Sequence, residues 1–417
     1  MEYVKLKELT KIVTGGTPRT NVKEYWENGN IPWLQSGVCK DGLVKQCSKY
    51  ITSLGLEKSS AKMMPKNTVI IALTGATTGK VGLLEIDACA NQSVTGILPN
   101  EKFASKYIFY YLQSIRHDIL FDSYGEAQNH ISQDYVKNIL VPLPSVQDQL
   151  KIIDKIEELF SELDKAEETL LKIKSQLEVY KQAVLKEAFE GKLLYKHRKQ
   201  FEFKFRVVPE NEIKDLPKLP DEWRYVYLKD LGDLARGKSK HRPRNDSRLF
   251  EDGKYPFIQT GEVKAANNEI VEYHKMYGDF GLAQSKLWPK GTLCITIAAN
   301  IAETAFLGFD ACFPDSIVGF TPNKMVHPHY VKYFIEASKL KLWAFAPATA
   351  QKNINLSTLE NLIVPYCDIE EQEYIVGLID SKLTVFRSIV DTIEESIVKI
   401  SSMRQSILKE AFEGKLL

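Results

Sequence analysis

The chain contains the same structural unit twice. The ten residues LKEAFEGKLL occupy positions 185–194 and recur unchanged at 408–417. A shift of 222 to 224 residues aligns many further stretches, so that the two copies cover roughly 1–194 and 224–417. A repeat of this kind predicts two similar domains, each with its own core, rather than one large core. The aligned stretches include YVKLKEL (3–9) with YVYLKDL (225–231), IPWLQSG (31–37) with YPFIQTG (255–261), and DACANQSVTGILPN (87–100) with DACFPDSIVGFTPN (310–323).

A long helix is predicted at the end of each copy. The sequence has neither glycine nor proline between Pro144 and Gly191, and apolar residues there recur at alternating intervals of four and three. This spacing is typical of a coiled-coil seam, and a glycine such as Gly191 or Gly414 commonly ends a helix. The predicted seam residues are Ile152, Ile156, Leu159, Leu163, Leu170, Ile173, Leu177, Ile375, Ile379, Phe386, Ile393, Ile400 and Ile407.

Two seams in one chain are most simply satisfied by each other. We predict that the helices pack antiparallel within the chain, whereas helices that dimerise two chains are the alternative with the same seam. Phe189 and Phe412, near the helix ends, are too apolar to stay exposed. Burial within the chain and contact with a partner protein are both open to them.

The part of each copy before the helix reads as short strands, turns rich in Gly, Asn and Pro, and one clear helix near Tyr107 or Tyr330. We predict an α+β fold with an internal pseudo-two-fold repeat. Two similar globular domains, each an irregular and mostly antiparallel sheet plus helices, are separated by two long antiparallel coiled-coil helices. The predicted boundaries are 1–145 for the first domain, 146–194 for the first helix, 195–222 for a polar linker, 223–367 for the second domain and 368–417 for the second helix.

Composition narrows the possible environment of the protein. The net charge is +1, from 55 basic and 54 acidic residues, so any surface for nucleic acid has to be local. The apolar runs are far too short to span a membrane, and the amino terminus lacks the apolar core of a signal peptide. Six cysteines without a CxxC pair indicate reduced, mostly buried thiols in a cytoplasmic protein.

Motifs for catalysis are missing from the sequence. GATTGK at 75–80 is one residue shorter than a phosphate-binding loop and lacks the following Ser or Thr. The chain has no Pro-Pro pair, which the catalytic tetrapeptide of a DNA methyltransferase needs, and no GxGxxG motif after a strand. We therefore predict a protein that is not an enzyme and that holds no cofactor or metal itself.

The loops diverge between the copies while the helix ends are identical. TGGTPRT at 14–20 corresponds to RGKSKHRPRNDSR at 236–248, which carries six Lys or Arg residues and one Asp. LTGATTGK at 73–80 corresponds to IAANIAET at 297–304. A constant scaffold with divergent loops is typical of a protein whose two ends recognise different things.

Taken in order, these motifs resemble the specificity (S) subunits of type I restriction–modification enzymes over essentially the full length, with two target-recognition domains. Individually each motif is weak, but their order, doubled and joined to two heptad helices, is specific. The motifs that carry the resemblance are GGTPR (15–19), IPWLQSG (31–37), TGATTGKVG (74–82), AQNHIS (127–132), ILVPLPSVQDQ (139–149), AANIAETAF (298–306), DACFPDSIVG (310–319), LIVPYCDIEEQ (362–372) and the two LKEAFEGKLL tails.

The resemblance implies a DNA-binding subunit of a phage-defence system. Each globular part would read one half of a bipartite, asymmetric site in double-stranded DNA, and the coiled coil would set the spacer between the halves. Two methyltransferase (M) subunits would bind the conserved helices, and restriction/motor (R) subunits would complete the complex. S-adenosylmethionine, ATP and Mg²⁺ would bind these partners, and DNA methylation at adenine N6 would be the mark. The alternatives are an S-like DNA-binding scaffold without a nuclease partner and a structural coiled-coil dimeriser; no membrane is implied.

Residue chemistry suggests which side chains face DNA. Arg pairs with guanine and Asn or Gln with adenine in the major groove, whereas Lys and Arg also neutralise phosphates. We expect Lys238, Lys240, Arg242 and Arg244 to follow phosphates. The further candidates are Arg19, Gln35, Ser36, Lys40, Thr74, Thr77, Lys80, Gln128 and Asn129 in the first copy, and Gln259, Thr260, Lys264, Asn300, Gln351, Lys352 and Asn353 in the second.

Overall fold

The chain divides into two compact units that share the long helices. The computed structural model describes residues 2–122, 130–193, 201–345 and 353–416. The first unit comprises Met1–Lys172 and Thr392–Leu417, and the second comprises Ile173–Asp391. Each unit therefore contains one globular domain, the beginning of one long helix and the end of the other.

The first unit is built of short strands and helices before its long helix. The strands are β1 (Tyr3–Lys5), β2 (Ile12–Thr14), β3 (Ile31–Leu34), β4 (Gly42–Val44), β5 (Tyr50–Ile51), β6 (Val69–Ala72), β7 (Val81–Leu84), β8 (Cys89–Ala90), β9 (Val94–Ile97) and β10 (Leu140–Pro142). The helices are α1 (Leu6–Leu9), α2 (Ser53–Glu57), α3 (Ser105–Ser114), α4 (Arg116–Asp122), α5 (Gln133–Asn138) and α6 (Val146–Phe189), the last of which continues into the second unit.

The second unit repeats this order of elements. Its strands are β11 (Arg224–Tyr227), β12 (Gly232–Arg236), β13 (Tyr255–Pro256), β14 (Glu269–Ile270), β15 (Met276–Tyr277), β16 (Leu287–Trp288), β17 (Leu293–Thr296), β18 (Thr304–Leu307), β19 (Ala311–Cys312), β20 (Ile317–Pro322) and β21 (Ile363–Tyr366). Its helices are α7 (Glu210–Ile213), α8 (Leu228–Leu231), α9 (Thr260–Ala265), α10 (Asp279–Ala283), α11 (Pro328–Ala337), α12 (Lys339–Phe345), α13 (Leu356–Glu360) and α14 (Ile369–Phe412), which returns to the first unit.

The central sheets of the two units have the same topology. The strand order is β2-β9-β6-β7-β4 in the first unit and β12-β20-β17-β18-β14 in the second. All neighbours are antiparallel except the edge pairs β4–β7 and β14–β18, which are parallel. The first and last strands of each domain also pair, β1 with β10 and β11 with β21. The predicted α+β fold with a mostly antiparallel sheet is confirmed.

Both faces of each central sheet are covered, which explains why the middle strand β6 is apolar throughout and β17 is apolar up to Thr296. Side chains of successive residues in a strand point to opposite faces. Val69 and Ile71 of β6 pack in the cluster that contains α3 and the helix ends, whereas Ile70 and Ala72 pack in a second cluster with Met64. An uninterrupted apolar strand is therefore the expected pattern here.

A buried glutamine joins each domain to its long helix. The Gln149 side chain accepts a hydrogen bond from the Ala104 backbone N–H (2.9 Å) and donates to the Pro144 carbonyl (3.0 Å). In the second unit, Gln372 accepts from the His327 N–H (2.9 Å) and donates to the Cys367 carbonyl (2.8 Å). The glutamine that begins both helical stretches thus satisfies backbone groups that would otherwise be buried without partners.

The recurring ten-residue sequence packs on an equivalent aromatic surface in each unit. The Phe412 ring lies 5.1 Å from the ring of Tyr107 and 5.1 Å from that of Tyr111. The Phe189 ring lies 5.0 Å from Tyr330 and 5.2 Å from Phe334. Both phenylalanines are buried within the chain, and this settles the two options that the sequence left for them. The end of each long helix packs on the domain from which the other long helix begins. Because the two packing surfaces are alike, both helix ends can carry the same sequence.

Both helices end in the same glycine motif. Gly191 and Gly414 have φ angles of 69° and 75°, in the left-handed region that glycine adopts without strain. The backbone N–H of Lys192 donates to the Glu187 carbonyl (3.1 Å), and that of Lys415 donates to the Glu410 carbonyl (2.9 Å). These bonds from the second residue after the helix are those of a Schellman motif, and the predicted glycine stops are confirmed.

The predicted seam residues differ in what covers them. Ile152 and Ile156 are buried in the core of the first domain, and Ile375 and Ile379 in that of the second, so the ends of the seam belong to the domains. Leu163, Ile393 and Ile400 are also buried, whereas Leu159, Leu170, Leu177, Phe386 and Ile407 are half-buried. Ile173 is a correction to the pattern, because its side chain is 39% exposed.

Within each unit the beginning of one long helix lies beside the end of the other. In the first unit, Arg404 of α14 forms ion pairs with Asp164 and Glu167 of α6. In the second unit, the Lys181 ammonium of α6 lies 5.9 Å from the centre of the Phe386 ring of α14. The helices therefore run in opposite directions in each unit, and their pairing is formed within one chain.

The segment predicted as a linker packs on the second domain from residue 201 onward. Phe201, Phe203 and Phe205 place their rings 5.9, 5.9 and 4.8 Å from that of Tyr366. Further along, the Tyr225 hydroxyl donates to the Pro217 carbonyl at 2.8 Å. The alternating phenylalanines of FEFKF place apolar rings on one side of an extended segment, which explains why it adheres.

The six cysteines are free thiols, five of them buried, and burial raises the pKa of the Cys39 thiol to about 12.

Over the described ranges, no helix combines the length and the apolarity that crossing a bilayer requires.

Candidate nucleic-acid interface

A tight turn joins the loops that carry the predicted DNA-facing residues of the first domain. This turn, residues 90–93, lies between β8 and β9. The Asn91 backbone N–H donates to the Leu34 carbonyl (2.9 Å), and the Ser93 carbonyl accepts from the Leu73 N–H (2.8 Å). The Thr17 hydroxyl donates to the Gln92 side-chain oxygen at 2.6 Å. We call residues 90–93 the hub turn, because three loops of distant sequence meet on it.

The second domain has an equivalent hub turn at residues 313–316. The Phe313 carbonyl accepts from the Lys238 backbone N–H (3.1 Å), and the Ser316 carbonyl accepts from the Ile297 N–H (3.0 Å). The turn closes through the same bond in both domains, Val94 N–H to the Asn91 carbonyl and Ile317 N–H to the Pro314 carbonyl, each at 3.1 Å. The frame that gathers the loops is therefore constant.

The loops around the first hub turn present exposed or half-exposed polar side chains. Arg19, Gln35 and Lys40 are exposed, whereas Ser36, Thr74, Thr77 and Lys80 are half-buried. The turn that carries Thr77 and Lys80 is shaped by Gly75 and Gly79, whose φ angles are 77° and 74°. Gln128 and Asn129 lie outside the described residues.

The loops of the second domain include a cleft of about 620 Å³. Arg244, Thr260 and Asn353, all predicted from the sequence, line it together with residues that the sequence did not single out. Two backbone contacts place Asn353 there. Ala298 and Asn353 form an isolated antiparallel β-bridge, and the Ile354 N–H donates to the Ile297 carbonyl (2.9 Å). The lining residues are Arg236, Arg244, Thr260, Ile297, Ala298, Ala299, Asp315, Ser316, Trp343, Asn353 and Ile354.

Other predicted residues of the second domain lie near this cleft but do not line it. Gln259 and Lys264 are exposed at the two ends of α9, and the Gln259 backbone N–H donates to Glu262 at 3.1 Å. Asn300 is half-buried in the loop between β17 and β18. Gln351 and Lys352 lie outside the described residues.

The basic segment 236–248 is folded onto the domain, and most of its cations have partners. The Arg244 guanidinium lies 2.8 Å from the Asp315 carboxylate, and that of Arg248 lies 2.7 Å from Asp246. Arg242 donates to the backbone carbonyls of Ser239 (2.6 Å) and His241 (2.8 Å). Hydrogen bonds from Arg248 and His241 hold the pKa of Asp246 below its ordinary value, so this carboxylate remains charged and the loop remains tied.

Lys238 and Lys240 differ from their four basic neighbours. Their side chains are exposed, and neither forms an ion pair with another described residue. Their backbones are nevertheless fixed, because the Lys240 N–H donates to the Gln284 carbonyl (3.2 Å) and the Lys238 carbonyl accepts from the Ser285 hydroxyl (2.8 Å). Two free cations on a fixed backbone are suited to contact phosphates.

Sequence reasoning missed Asp315, which holds two arginines of the cleft. Arg236 donates from Nε (2.9 Å) and Nη2 (2.7 Å) to the Asp315 carbonyl, while the carboxylate accepts from Arg244. The signal was available in the alignment of the repeats. Within DACANQSV and DACFPDSIV, Gln92 and Asp315 occupy the same position with different chemistry.

A separate polar cavity of about 430 Å³ lies in the first unit beside α3 and the long helices. It contains none of the predicted DNA-facing residues. Arg116 pairs with Asp41 at 2.7 Å and Lys106 with Glu157 at 2.6 Å. Arg404, which also lines the cavity, pairs with Asp164 and Glu167. The Gln113 side-chain nitrogen is buried there with no hydrogen-bond partner among the described residues.

Known proteins share this sequence pattern and fold. The family described as "Type I restriction modification DNA specificity domain" matches residues 1–175 and again 220–397. The specificity subunit of the type I restriction enzyme MjaIX of Methanocaldococcus jannaschii is 26% identical over 426 residues, which cover 99% of this chain and 92% of that protein. The EcoR124I/EcoR124II specificity subunit of Escherichia coli is 31% identical over 159 residues, so that match spans 37% of this chain and only 39% of the relative.

Solved structures have the same fold. The crystal structure of the HsdS subunit from Thermoanaerobacter tengcongensis aligns with a TM-score of 0.53 at 19% identity, covering 99% of this chain and 97% of that one. A chain from a study of complex assembly and conformational transition of the type I R-M system aligns with a TM-score of 0.73 at 19% identity, covering 99% of this chain and 98% of the other. At these identities, the likeness shows the architecture.

Proposed function

The chain belongs to the type I restriction modification DNA specificity domain family, and we propose that it reads a bipartite, asymmetric DNA sequence, with one half-site for each domain. The observation that carries this proposal is the pair of hub turns. Equivalent backbone bonds close both turns and attach the loops that begin at Leu73 and Ile297, yet the side chains on those loops differ. A constant frame with different readers is what two different half-sites require.

The long helices are proposed to set the spacer between the half-sites. α6 and α14 contain 44 residues each, which corresponds to about 65 Å of helix. Linking two weak readers raises affinity only when the geometry lets both engage at once. Inserting one helical turn of about 5.4 Å into both helices should lengthen the preferred spacer by between one and two base pairs of about 3.4 Å.

The chain is proposed to act as a non-catalytic scaffold for partner subunits in the cytoplasm. Two methyltransferase subunits would bind the helices and the junctions around them, and restriction/motor subunits would join the complex. S-adenosylmethionine, ATP and Mg²⁺ would be held by those partners, and the complex would methylate adenine at N6. In support, apolar side chains such as Val179 and Val398 remain 69% and 67% exposed on the helices, and a partner would cover them.

Sequencing of modified adenines tests the proposal. Host cells that carry this gene with its neighbouring methyltransferase gene would be compared with cells that lack only this gene. We expect a methylated motif of two short, different half-sites that disappears with the gene. An unchanged methylome would overturn the specificity role, and a structural coiled-coil scaffold would then be the better account.

A further inference from the structure

Asp315 lines the cleft in the second domain and contacts two arginines at once. Its carboxylate is 2.8 Å from Arg244, and its backbone carbonyl accepts hydrogen bonds from Nε and Nη2 of Arg236. The Asp315 and Arg244 side chains are 42% and 52% exposed, so the pair is accessible to a ligand in the cleft. An exposed ion pair of this kind contributes little to stability, which leaves its position to be explained.

A lone carboxylate would repel the DNA backbone, but this one is not alone. Arg244 lies against the carboxylate and Arg236 against the backbone carbonyl of the same residue, so two positive charges accompany the one negative charge. Arg244 uses one N–H of Nη2 on the carboxylate, and a guanidinium has five N–H donors in a fixed fork. Most of the fork therefore remains available, while the long side chain is held in one orientation.

The equivalent position in the first domain has a different partner and no arginine. Gln92 accepts from Thr17, which lies on the loop that corresponds to the beginning of segment 236–248. The backbone of the turn is the same in both domains, since the closing bonds match at 3.1 Å. The hub-turn side chain is thus the point at which a constant frame is connected to a domain-specific loop.

We propose that Asp315 is a positioning residue that orients Arg244 to read a guanine in the half-site of the second domain. Arginine recognises guanine through two N–H donors aimed at O6 and N7. Fixing the guanidinium before binding lowers the entropy that would otherwise be lost on contact and holds the geometry of that recognition. Thr260 and Asn353 line the same cleft and supply polar groups beside the guanidinium. The inference rests on the proposed function, because it assigns one base contact within it.

Selection from a DNA library tests the inference. The full chain, in complex with its methyltransferase subunit, would select duplexes from a pool in which both half-sites are randomised. Four variants would be compared with the natural chain: Asp315→Ala, Arg244→Ala, the double variant, and Asp315→Glu. Asp233→Ala is the matched control, since Asp233 is an exposed carboxylate of the same domain outside the cleft.

We expect Asp315→Ala to reduce discrimination at one G·C pair of the second half-site by about tenfold, the effect of losing one good arginine–guanine contact. Arg244→Ala should relax the same base pair, the double variant should be no worse than Arg244→Ala, and Asp315→Glu should restore part of the preference. The first half-site and the Asp233→Ala selection should be unchanged.

Several outcomes would overturn the inference. One is an Asp315→Ala chain that keeps the full base preference, or relaxes a base pair different from the one that Arg244→Ala relaxes. A lower melting temperature with equal weakening on every sequence would instead assign Asp315 a structural role. If the natural chain selects no motif at all, the proposed function fails and this inference fails with it.

Discussion

The two units bury the same helix end, but the helices that receive it, α3 and α11, differ in their charged side chains. Both pack a phenylalanine of the recurring sequence between two aromatic rings of the domain. On the same helix, the first unit has Phe109 and Gln113, whereas the second has Lys332 and Glu336 at the corresponding positions of the repeat. Lys332 is almost fully buried and pairs with Glu336 at 2.6 Å.

This difference shows which contacts the repeat keeps and which it varies. The aromatic contact is shared because both helix ends carry the same sequence. The neighbouring positions of α3 and α11 lie outside the aromatic contact, so Phe109 with Gln113 and Lys332 with Glu336 are both compatible with the same helix end. The loops on the hub turns diverge further still, because they face outward.

The largest effect should come from removing the shared contact. Phe189→Ala and Phe412→Ala should each lower the free energy of unfolding by about 3–5 kcal/mol, since a buried ring is lost and a cavity remains. Denaturant unfolding of the full chain, with a probe in each domain, would measure both. Phe121→Ala is the matched control, because Phe121 is 74% exposed.

Unequal costs would break the comparison between the units. If Phe412→Ala were as mild as Phe121→Ala while Phe189→Ala were severe, the two helix ends would not be equivalent.

The second prediction concerns the buried ion pair between Lys332 and Glu336. Glu336→Gln should destabilise the second unit by about 3 kcal/mol, because it leaves the buried Lys332 ammonium without its partner. Replacing both residues with those of the first unit, Lys332→Phe with Glu336→Gln, should recover most of that loss. Thermal unfolding of the three chains would measure this. A double variant less stable than Glu336→Gln would show that the residue pair of the first unit cannot replace that of the second.

The third prediction concerns Lys238 and Lys240 of the basic segment, which has no equally basic counterpart in the first domain. Lys238→Ala with Lys240→Ala should reduce the slope of log affinity against log salt by about one for each lysine. Between 50 and 200 mM salt this corresponds to about a tenfold change, or about 1.4 kcal/mol. Binding titrations at several salt concentrations should show the same loss on every DNA sequence. A change in base preference would instead assign these lysines to base recognition.

The smallest effect is expected at Gln113, the position of the first unit that corresponds to Glu336. Gln113→Leu should raise the stability of the first unit by about 1 kcal/mol, because it removes a buried nitrogen without a partner. Chemical denaturation would detect this change, and Gln113→Asn, which keeps an amide, serves as the control. A Gln113→Leu chain that is clearly less stable would show that the amide has a partner when the protein is in solution.

The sequence predicted the elements that depend on periodicity and on glycine. The repeat placed two similar domains, the intervals of four and three placed α6 and α14, and Gly191 and Gly414 marked their ends. These features are local, so a pattern of neighbouring residues is enough to identify them. The FEFKF segment has an apolar side, but the basic residues before it (KHRKQ) and the prolines after it (LPKLP) favoured a linker.

The cleft could not be predicted in the same way. Arg244 and Asp315 are 71 residues apart in sequence, and only the fold of the hub turn brings them together. Ile152 and Ile375 fit the seam pattern, but tertiary packing places them in the domain cores. Burial of Phe189 within the chain likewise depended on the aromatic rings of α11.

The most direct test of the account is a chain that carries the first domain twice. Residues 223–367 would be replaced by a second copy of residues 1–144, and both long helices would be kept. Because Phe189 would then meet Tyr107 and Tyr111 in place of Tyr330 and Phe334, the account predicts that the chain folds. The methylome of cells that express it with the methyltransferase subunit should show a motif built from two copies of the first half-site. A folded chain that still methylates the original second half-site, or that methylates no defined motif, would contradict the account.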